Sequence, residues 1–417
     1  MGLASLLRSA LCIQETVIER VCWEGADLIV HVRPRARDRD RCSRCRRRCR
    51  FYDRLRPGRR WRSMDLGTLV VYLVADTHRV VCPEHGVVVA HVPWARHASR
   101  FTLAFEDLGC WLATHCNQTV VARYLRTTWR SIGHVIEGRV AMTDWPVVTA
   151  QLERIGIDEI SYRKGQRYLT VVVDHDSGRL VWAAPGRNKE TVGRFFDRLG
   201  PERCARIKIV TRDAATWIST VVSERCPQAV QCMDPFHVVK WATEAVDAVR
   251  RELYRAPCYW SRSRRNRAIK GARWILLRNR DDLSSKQSAG LAEIQSTNRP
   301  LYRAYLLKEQ LRLVFQLPVA EAMRHLDRWL VWARRSQIAR FVALAQTITE
   351  HRDGIRASIE RGASNGRVEA MNTGIRLLAR KAYGFHSPDA MIALAMLKHG
   401  GLCPPLPGRT PRFPVRA

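Results

Sequence analysis

Apolar and polar positions change their period several times along the chain, and each change predicts a different kind of element. Before residue 100, stretches such as DLIVHVR and LGTLVVYLVADTHRVVC predict β-strands that continue up to Cys82. From Phe101 onward, apolar residues recur at helical spacing in three successive groups. The N-terminal third therefore predicts β-structure followed by three short helices.

Strands dominate again between residues 155 and 234. RIGIDEI, RYLTVVVD and RLVWAAP precede the helical pattern KETVGRFFDRL, and ARIKIVTRD and QAVQCMD follow it. This order predicts an α/β sheet that opens with antiparallel strands. The patterns from Val238 to about Arg361 are helical, and a final helix is expected after GASNG, with Ser364 or Asn365 as its cap. The predicted fold class is multidomain α/β.

Two pairs of metal-ligand residues flank a β-rich stretch of 36 residues. Cys42 and Cys45 form one pair, Cys82 and His85 the other, and each pair can chelate from one tight turn. Three sulfurs and one nitrogen complete a tetrahedral Zn²⁺ site, as in a zinc ribbon. The alternative is a set of core side chains, but the arginines around the first pair disfavour burial. Cys49 is a spare cysteine that we expect to be a bystander.

The segment NQTVVARYLRTTWRSIGHVIEGRV has the pattern of a helix-turn-helix. A helix of about eight residues is followed by a break at Arg126 and Thr127, and the next helix has apolar positions at i, i+3, i+6 and i+7. That spacing lets the second helix rest on the first while its outer face enters a DNA major groove. A plain three-helix packing unit is the alternative. The side chains expected to face outward and bind DNA are Arg130, Ser131, His134 and Arg139.

The charge of the chain indicates a polyanionic partner. Its 71 basic and 39 acidic residues give a formal net charge of +32, which makes nucleic acid the first candidate. Residues 41–62 contain eleven arginines and one acid, and are expected to contact phosphates. A second basic window, at 261–273, is expected to lie along DNA or a partner subunit. Its arginines are Arg262, Arg264, Arg265 and Arg267.

Cysteine usage and hydropathy indicate a cytoplasmic protein. Thirteen cysteines without a signal-peptide pattern favour a reducing compartment in which thiols are free or bind metal. No apolar run approaches the ~18 residues needed to cross a bilayer. Neither a membrane partner nor disulfide bonds are expected.

Three carboxylates lie at positions where a metal ion would explain them. Asp158 lies within an apolar strand, Asp213 directly follows the apolar run IKIV, and Glu369 is on the final helix. A buried carboxylate costs several kcal/mol unless it is compensated, and a divalent cation is the usual compensation. Together the three acids can hold two Mg²⁺ ions about 4 Å apart for phosphodiester chemistry. Taken singly, an ion pair, a helix cap and a surface position are the alternatives.

The final helix presents two separate faces. The apolar face is expected to be buried, and the polar stripe that begins with Glu369 is expected to lie beside bound DNA. The apolar face comprises Val368, Met371, Ile375 and Leu378, and the stripe continues through Asn372, Arg376 and Arg380.

Three longer segments resemble one family of enzymes. GIDEISYRKGQRYLTVVVD, RDAATW with CPQAVQCMDPFHVVKW, and SNGRVEAMNTGIRLLARKAYGF are similar to the DDE transposases of bacterial insertion sequences, in the branch called the ISL-three family. The resemblance covers nearly the whole chain. It implies an RNase H-like core, interrupted by an α-helical insertion and preceded by a β zinc ribbon and a helix-turn-helix.

The resemblance also implies roles for individual residues. Asp158, Asp213 and Glu369 match the catalytic carboxylates that bind Mg²⁺ or Mn²⁺, and Asp234 and His237 match an accessory signature near the active site. One departure is the second zinc pair, which is Cys-His here where the family more often has Cys-Cys. Because histidine is a normal zinc ligand, the Zn²⁺ site is still expected.

The expected function is that of a transposase. It would bind the terminal inverted repeats of its insertion sequence, cleave DNA at the ends and join the freed 3′-hydroxyls to target DNA, as a homo-oligomer in a synaptic complex. The alternatives are a DNA-binding regulator with an inactive core and a structure-specific nuclease. The expected domains are 1–95 (zinc ribbon), 96–145 (helix-turn-helix), 150–240 (first part of the core), 241–361 (all-α insertion) and 362–405 (final helix of the core).

Overall fold

The computed structural model describes residues 2–163, 165, 167–255, 269 and 271–409. The chain divides into two compact units. One comprises Met1–Asp144 with Leu377–Ala417, and the other comprises Trp145–Arg376. The predicted domain limits, which are finer than this division, stay predictions.

The first unit contains two small sheets. A four-stranded sheet has the order β1-β2-β5-β4, and a three-stranded sheet has the order β3-β6-β7. Buried apolar side chains from the larger sheet pack around Trp61, whose ring meets that of Trp94 edge to face at 5.5 Å. The strands are β1 (Thr16–Glu24), β2 (Asp27–Pro34), β3 (Arg50–Arg54), β4 (Arg59–Arg62), β5 (Val71–Ala75), β6 (His78–Cys82) and β7 (Gly86–Val89).

The helices of the first unit include the predicted helix-turn-helix. The side chain of Asn117 caps the first helix of the motif and that of Thr128 caps the second, and Arg126 in the intervening turn has a left-handed φ of 50°. The three helices predicted after Phe101 are confirmed. The helices of this unit are α1 (Leu3–Ala10), α2 (Leu103–His115), α3 (Gln118–Tyr124), α4 (Trp129–Ala141) and, near the C-terminus, α17 (Pro388–His399), which packs on α4 and α2.

A mixed sheet of five strands organises the second unit. Its order is β10-β9-β8-β11-β12; β9 pairs antiparallel with β8 and β10, whereas β11 pairs parallel with β8 and β12. The predicted α/β layout with an antiparallel start is confirmed. The strands are β8 (Arg154–Arg163), β9 (Arg167–Asp174), β10 (Leu180–Pro185), β11 (Ile209–Arg212) and β12 (Val230–Met233).

Helices cover this sheet and extend into an α-helical region. Phe195 and Phe196 of α6 and Ile218 of α8 pack onto the sheet in one buried apolar cluster. A second cluster, around Tyr305 and Trp329, forms the core of the helical region. The helices are α5 (Trp145–Val148), α6 (Lys189–Leu199), α7 (Pro201–Cys204), α8 (Thr216–Arg225), α9 (Pro235–Arg255), α10 (Arg273–Leu276), α11 (Ser285–Thr297), α12 (Arg299–Leu313), α13 (Val319–Arg335), α14 (Ala339–Glu350) and α15 (Arg352–Arg361).

The final helix, α16 (Gly366–Lys381), begins where the sequence predicts it and buries the predicted apolar face. No helix among the described residues has the length and apolar character needed to span a membrane. The four arginines of the second basic window, Arg262, Arg264, Arg265 and Arg267, lie outside the described residues.

A glycine in β8 allows α16 to approach the sheet. A Cβ added to Gly156 would lie 2.3 Å from Cγ2 of Val368 on α16 and 2.8 Å from Nε2 of His175. Both distances are shorter than side chains tolerate, so only glycine permits this packing. The close approach matters because α16 carries Glu369.

We therefore expect Gly156→Ala to destabilise the protein by about 1–3 kcal/mol, the usual cost of overpacking. The control is Gly193→Ala in α6, where an added Cβ meets nothing within 4 Å. Alanine there should be neutral or slightly stabilising. Thermal unfolding of the full chain measures both. If Gly156→Ala has the same unfolding midpoint as Gly193→Ala, α16 does not pack against β8 as closely as described.

Candidate active site and metal centre

The Cys-x2-Cys and Cys-x2-His pairs meet in one cluster. The candidate ligand atoms of Cys42, Cys45, Cys82 and His85 all lie within 4.8 Å of one another. The Sγ atoms of Cys45 and Cys82 are 3.6 Å apart, and Nδ1 of His85 lies 3.5 Å from Sγ of Cys82. In a tetrahedral zinc site with bonds of about 2.0–2.3 Å, neighbouring ligand atoms are separated by roughly 3.5–3.8 Å. The four side chains thus fit Zn²⁺.

Two tight turns bring these ligands together. The backbone N–H of Arg46 donates to the Cys42 carbonyl at 3.1 Å and closes the first turn. The second turn joins β6 to β7, with Cys82 paired to Gly86, whose φ of 66° favours glycine. The predicted bystander, Cys49, is not part of the cluster; its Sγ donates to the carbonyl of Arg47.

Three acids lie at one level across adjacent strands of the five-stranded sheet. Arg212 is the last residue of β11 paired with both neighbours, with Ile157 of β8 on one side and Met233 of β12 on the other. The next residue on each chain is an aspartate. Asp158, Asp213 and Asp234 therefore follow these aligned residues in a row, at the end where β11 and β12 terminate.

Asp158 is buried, and its carboxylate is held at two points. Oδ1 accepts from the backbone N–H of Glu159 at 2.7 Å, and Oδ2 accepts from Nδ2 of Asn372 at 2.8 Å. Burial raises the pKa of Asp158 to about 6, and the negative charges of Asp213 and Asp234 act in the same direction. A buried carboxylate that lies near like charges and forms no ion pair with an arginine of the described residues is a candidate cation ligand.

Asp213 begins the turn that follows β11. Its Oδ1 accepts from the backbone N–H of Ala215 at 2.9 Å, just before α8 begins at Thr216. The preceding Arg212 is buried, and its guanidinium donates to Gln231, to Ser219 and to the backbone carbonyl of Asp213. The predicted position at the carboxyl edge of the sheet is confirmed; the helix-cap contact and a metal role are compatible, because a carboxylate has two oxygens.

Glu369 lies in the first turn of α16 and is partly buried. Burial raises its pKa, and the charge of Asp234 raises it further, while His237 and Arg376 oppose the rise. Asn372, one turn further along the helix, contacts Asp158. That contact places the Glu369 turn of α16 against the acidic end of β8.

Asp234 and His237 form a hydrogen-bonded pair at the start of α9. Nδ1 of His237 donates to Oδ2 of Asp234 at 2.9 Å, and this bond raises the pKa of His237. The other oxygen of Asp234 accepts from the backbone N–H of Asn365 at 3.2 Å, immediately before α16. Asp234 therefore ties the start of α9 to the residue that precedes α16.

The acids are spaced more widely than the zinc ligands. Across the part of the chain that the structure describes, the Cys/His cluster is the only group of three or more His, Cys, Asp and Glu ligand atoms close enough to hold an ion as placed. Asp158, Asp213, Asp234 and Glu369, as placed, do not form such a group.

Sequence reasoning missed Glu159, a further buried carboxylate beside the site. Its side chain pairs with Arg187, whose guanidinium lies 4.9 Å from the ring centroid of Tyr168. Burial raises the pKa of Glu159 to about 7, and the charge of Asp213 contributes. The adjacent Asp-Glu pair in an apolar strand was the available signal.

The proposed groove-facing side chains of α4 differ in their surroundings. Arg130 and His134 are exposed, whereas Ser131 is partly buried and its Oγ lies 2.9 Å from Oγ1 of the capping Thr128. Arg139 pairs with Asp107 of α2 at 3.5 Å. Arg130 and His134 are thus the exposed members of the four, and Nδ1 of His134 lies 3.5 Å from Oε2 of Glu137 on the same helix.

The basic window 41–62 is mostly exposed. Arg44, Arg48 and Arg56 face solvent. Arg62 is the exception: it is buried, pairs with Asp65 and donates to the backbone carbonyl of Ser63. The phosphate-binding expectation therefore applies to the exposed arginines, and Arg62 stabilises the fold. On α16, Arg376 and Arg380 are exposed as well.

Comparison with known proteins matches both units. A family model described as a transposase matches residues 155–395, and one described as the helix-turn-helix domain of transposase family ISL3 matches residues 90–140. The transposase for insertion sequence element IS1557 of Mycobacterium tuberculosis is 50% identical over 97% of each chain. The transposase for IS1001 of Bordetella parapertussis is 31% identical over 89% of this chain and 92% of its own.

The fold and the comparisons define an insertion-sequence transposase with a helix-turn-helix DNA-binding domain and a DDE transposase domain. More particularly, the chain belongs to transposase family ISL3, which confirms the resemblance given by the sequence segments. The comparisons support the transposase interpretation over a regulator with an inactive core.

The exposed arginines of the 41–62 window and the outward-facing side chains of α4 should contribute differently to DNA binding. Replacing Arg44, Arg48 and Arg56 by Ser should weaken all DNA alike and flatten the dependence of log K on log salt by roughly one per lost phosphate contact. Replacing Arg130 and His134 by Ala should instead narrow the preference for the terminal repeat by about 1–3 kcal/mol per lost base contact. Fluorescence-anisotropy titrations at several salt concentrations measure both, and unchanged discrimination in the second variant would refute the groove assignment.

Proposed function

We propose that this transposase cleaves DNA at the terminal inverted repeats of its element and joins the 3′-ends to target DNA, using Asp158, Asp213 and Glu369 to hold Mg²⁺ or Mn²⁺. The observation that carries the proposal is the strand register, which aligns Asp158 and Asp213 on neighbouring parallel strands. The contact between Asn372 and Asp158 supports the inclusion of Glu369, because it brings α16 to the same strand.

The donor set fits the hard cations used in phosphoryl transfer. Carboxylate and amide oxygens are the ligands that Mg²⁺ and Mn²⁺ prefer. Burial is the main cause of the raised pKa of Asp158, and the charges of Asp213 and Asp234 add to it; a cation bound between these acids would relieve their repulsion. When bound, the metal supplies charge at the scissile phosphate and activates a water or a 3′-hydroxyl.

The remaining polar residues have supporting roles in this proposal. Asp234 orients His237 and fixes the start of α16 through the backbone of Asn365. The hydrogen bond to Asp234 raises the pKa of His237 and so favours the positively charged imidazole beside the acids. Exposed Arg376 and Arg380 on α16 would contact the phosphates of bound DNA.

The proposal includes an RNase H-like architecture for the sheet and the final helix, and a zinc ribbon for the Cys/His module. The strand order, with three antiparallel strands followed by two parallel ones, supports the first. The fit of four ligand atoms to a tetrahedral ion supports the second. A homo-oligomer is expected because two transposon ends must be held together.

The test is an in vitro reaction with the full chain and duplexes that carry the terminal repeats of its own element. Cleavage at the repeat and joining to a plasmid are expected with Mg²⁺ or Mn²⁺, and neither is expected without divalent cations or with a scrambled repeat. Cleavage that does not depend on the repeat would favour a nuclease. Binding to the repeat without cleavage under any divalent metal would contradict the proposal.

A further inference from the structure

A buried amide links the two elements that carry the acids. Asn372 is 3% exposed, and its Nδ2 donates to Oδ2 of Asp158 at 2.8 Å. It follows Glu369 by three residues, so both side chains project from the same side of α16. The sequence pattern placed Asn372 on the polar stripe that was expected to lie beside bound DNA, with no role at the metal site.

The other amide atom of Asn372 has no partner. Its Oδ1 is buried and accepts no hydrogen bond within the described part of the chain. An unsatisfied buried acceptor costs about 1–3 kcal/mol, and an ordered water or an ion is one way in which such a group is satisfied. The neighbouring acids make a hydrated cation the natural occupant.

The orientation of the amide follows from its neighbour. A carboxylate presents only acceptors, so the nitrogen of Asn372 must face Asp158 and the oxygen must point away from it. Oδ1 of Asp158 is meanwhile held by the backbone of Glu159. The plane of the carboxylate is thus fixed from both sides.

We propose that Asn372 is a positioning residue for the metal site: it fixes Asp158 through Nδ2 and accepts, through Oδ1, a hydrogen bond from a water of the bound cation. The inference rests on the proposed function and adds a specific role for a residue other than the acidic triad of Asp158, Asp213 and Glu369. Neither leucine nor serine has an atom in both places, because only a carboxamide of this length combines a donor and an acceptor here. Partners of this kind typically change metal affinity by about 10–100-fold.

Two substitutions separate metal positioning from structural support. Asn372→Leu removes both amide atoms at similar volume, so it should weaken Mn²⁺ binding by about 10–100-fold. It should lower the unfolding midpoint in Mg²⁺-free buffer only modestly, because loss of the unpaired oxygen offsets part of the cost of losing the hydrogen bond from Nδ2 to Asp158. Asn372→Asp keeps the oxygen and adds charge, so it should destabilise the metal-free protein and show a larger Mn²⁺-induced rise in the unfolding midpoint than wild type. Thr373→Ala, on the exposed side of the same turn, should match wild type.

The experiment uses the full zinc-loaded chain, with Mn²⁺ affinity from calorimetry and unfolding midpoints with and without Mn²⁺. Unchanged Mn²⁺ affinity in Asn372→Leu would overturn the inference. If that variant does not fold, Asn372→Asp decides, and an Mn²⁺-induced shift no larger than in wild type would overturn it. Glu369→Gln distinguishes the two levels of the account. If Glu369→Gln leaves the Mn²⁺ affinity of the protein unchanged, the proposed function itself is contradicted. If Glu369→Gln weakens Mn²⁺ binding but Asn372→Leu does not, only the inference about Asn372 is contradicted.

Discussion

Alanine at Asp158, Asp213 or Glu369 should reduce cleavage and strand transfer by about 10³-fold or more while leaving binding to the terminal repeat intact. In the proposed mechanism each change removes a metal ligand, and the metal charge at the phosphate is worth several kcal/mol of barrier. Repeat binding depends on the helix-turn-helix and the exposed arginines instead. For Asp158, loss of a buried negative charge also removes a source of repulsion, so the fold should be retained.

The control for the triad is Asp197→Ala. Asp197 lies on α6, pairs with Arg225 at the surface and has no role in the proposed chemistry. Its replacement should change neither DNA cleavage nor binding to the terminal repeat. Asp234→Asn provides a second comparison, because Asp234 aligns with Asp213 on the neighbouring strand and is the alternative second ligand. If Asp213→Asn still cleaved and folded Asp234→Asn did not, the second metal ligand would be Asp234. If all triad variants cleaved normally, the mechanism would be wrong.

Removal of the zinc ligands should produce the other large effect. Cys45→Ser is expected to lose the bound zinc, about one ion per chain, and to unfold the two turns that the metal joins. Structural Zn²⁺ contributes on the order of 10 kcal/mol to comparable small modules, far more than the hairpins gain by themselves. DNA binding should fall with the fold, since exposed arginines of the 41–62 window lie on this module.

Cys49→Ser is the matched control, because Cys49 lies in the same basic window but outside the ligand cluster. Zinc content by mass spectrometry and the unfolding midpoint of the full chain measure both variants. Cys49→Ser should keep its zinc and its midpoint. A Cys45→Ser protein with full zinc and an unchanged midpoint would contradict the assignment of the four ligands.

Periodicity predicted the elements of this protein closely. The segment KETVGRFFDRL matches the bounds of α6, Lys189–Leu199, because one clean amphipathic pattern ends at Gly200. The strands around Asp158 and Asp213 and the start of α16 were likewise predictable, since apolar runs and turn residues mark them locally. Spacing also sufficed for the zinc cluster, because both ligand pairs are local turns.

Pairing between distant segments was not predictable in the same way. Nothing local in the sequence states that Arg212 pairs with Ile157, and the alignment of the acids depends on that register. Asn372 was expected to face DNA, but it is buried against Asp158. The helical period predicts the direction of a side chain around the helix axis, but it does not predict which residue lies in that direction. Arg62 is a similar case: it belongs to a basic window yet lies buried beside Asp65.

Metal-specific rescue tests the central claim most directly. Cysteine at position 158 or 213 replaces a carboxylate by a thiolate, a softer ligand that suits Mn²⁺ better than Mg²⁺. If these aspartates bind the catalytic metal, Asp158→Cys and Asp213→Cys should be inactive with Mg²⁺ and regain cleavage with Mn²⁺, while Asp197→Cys cleaves equally with both. Equal activity of Asp158→Cys and Asp213→Cys in the two metals would contradict the account.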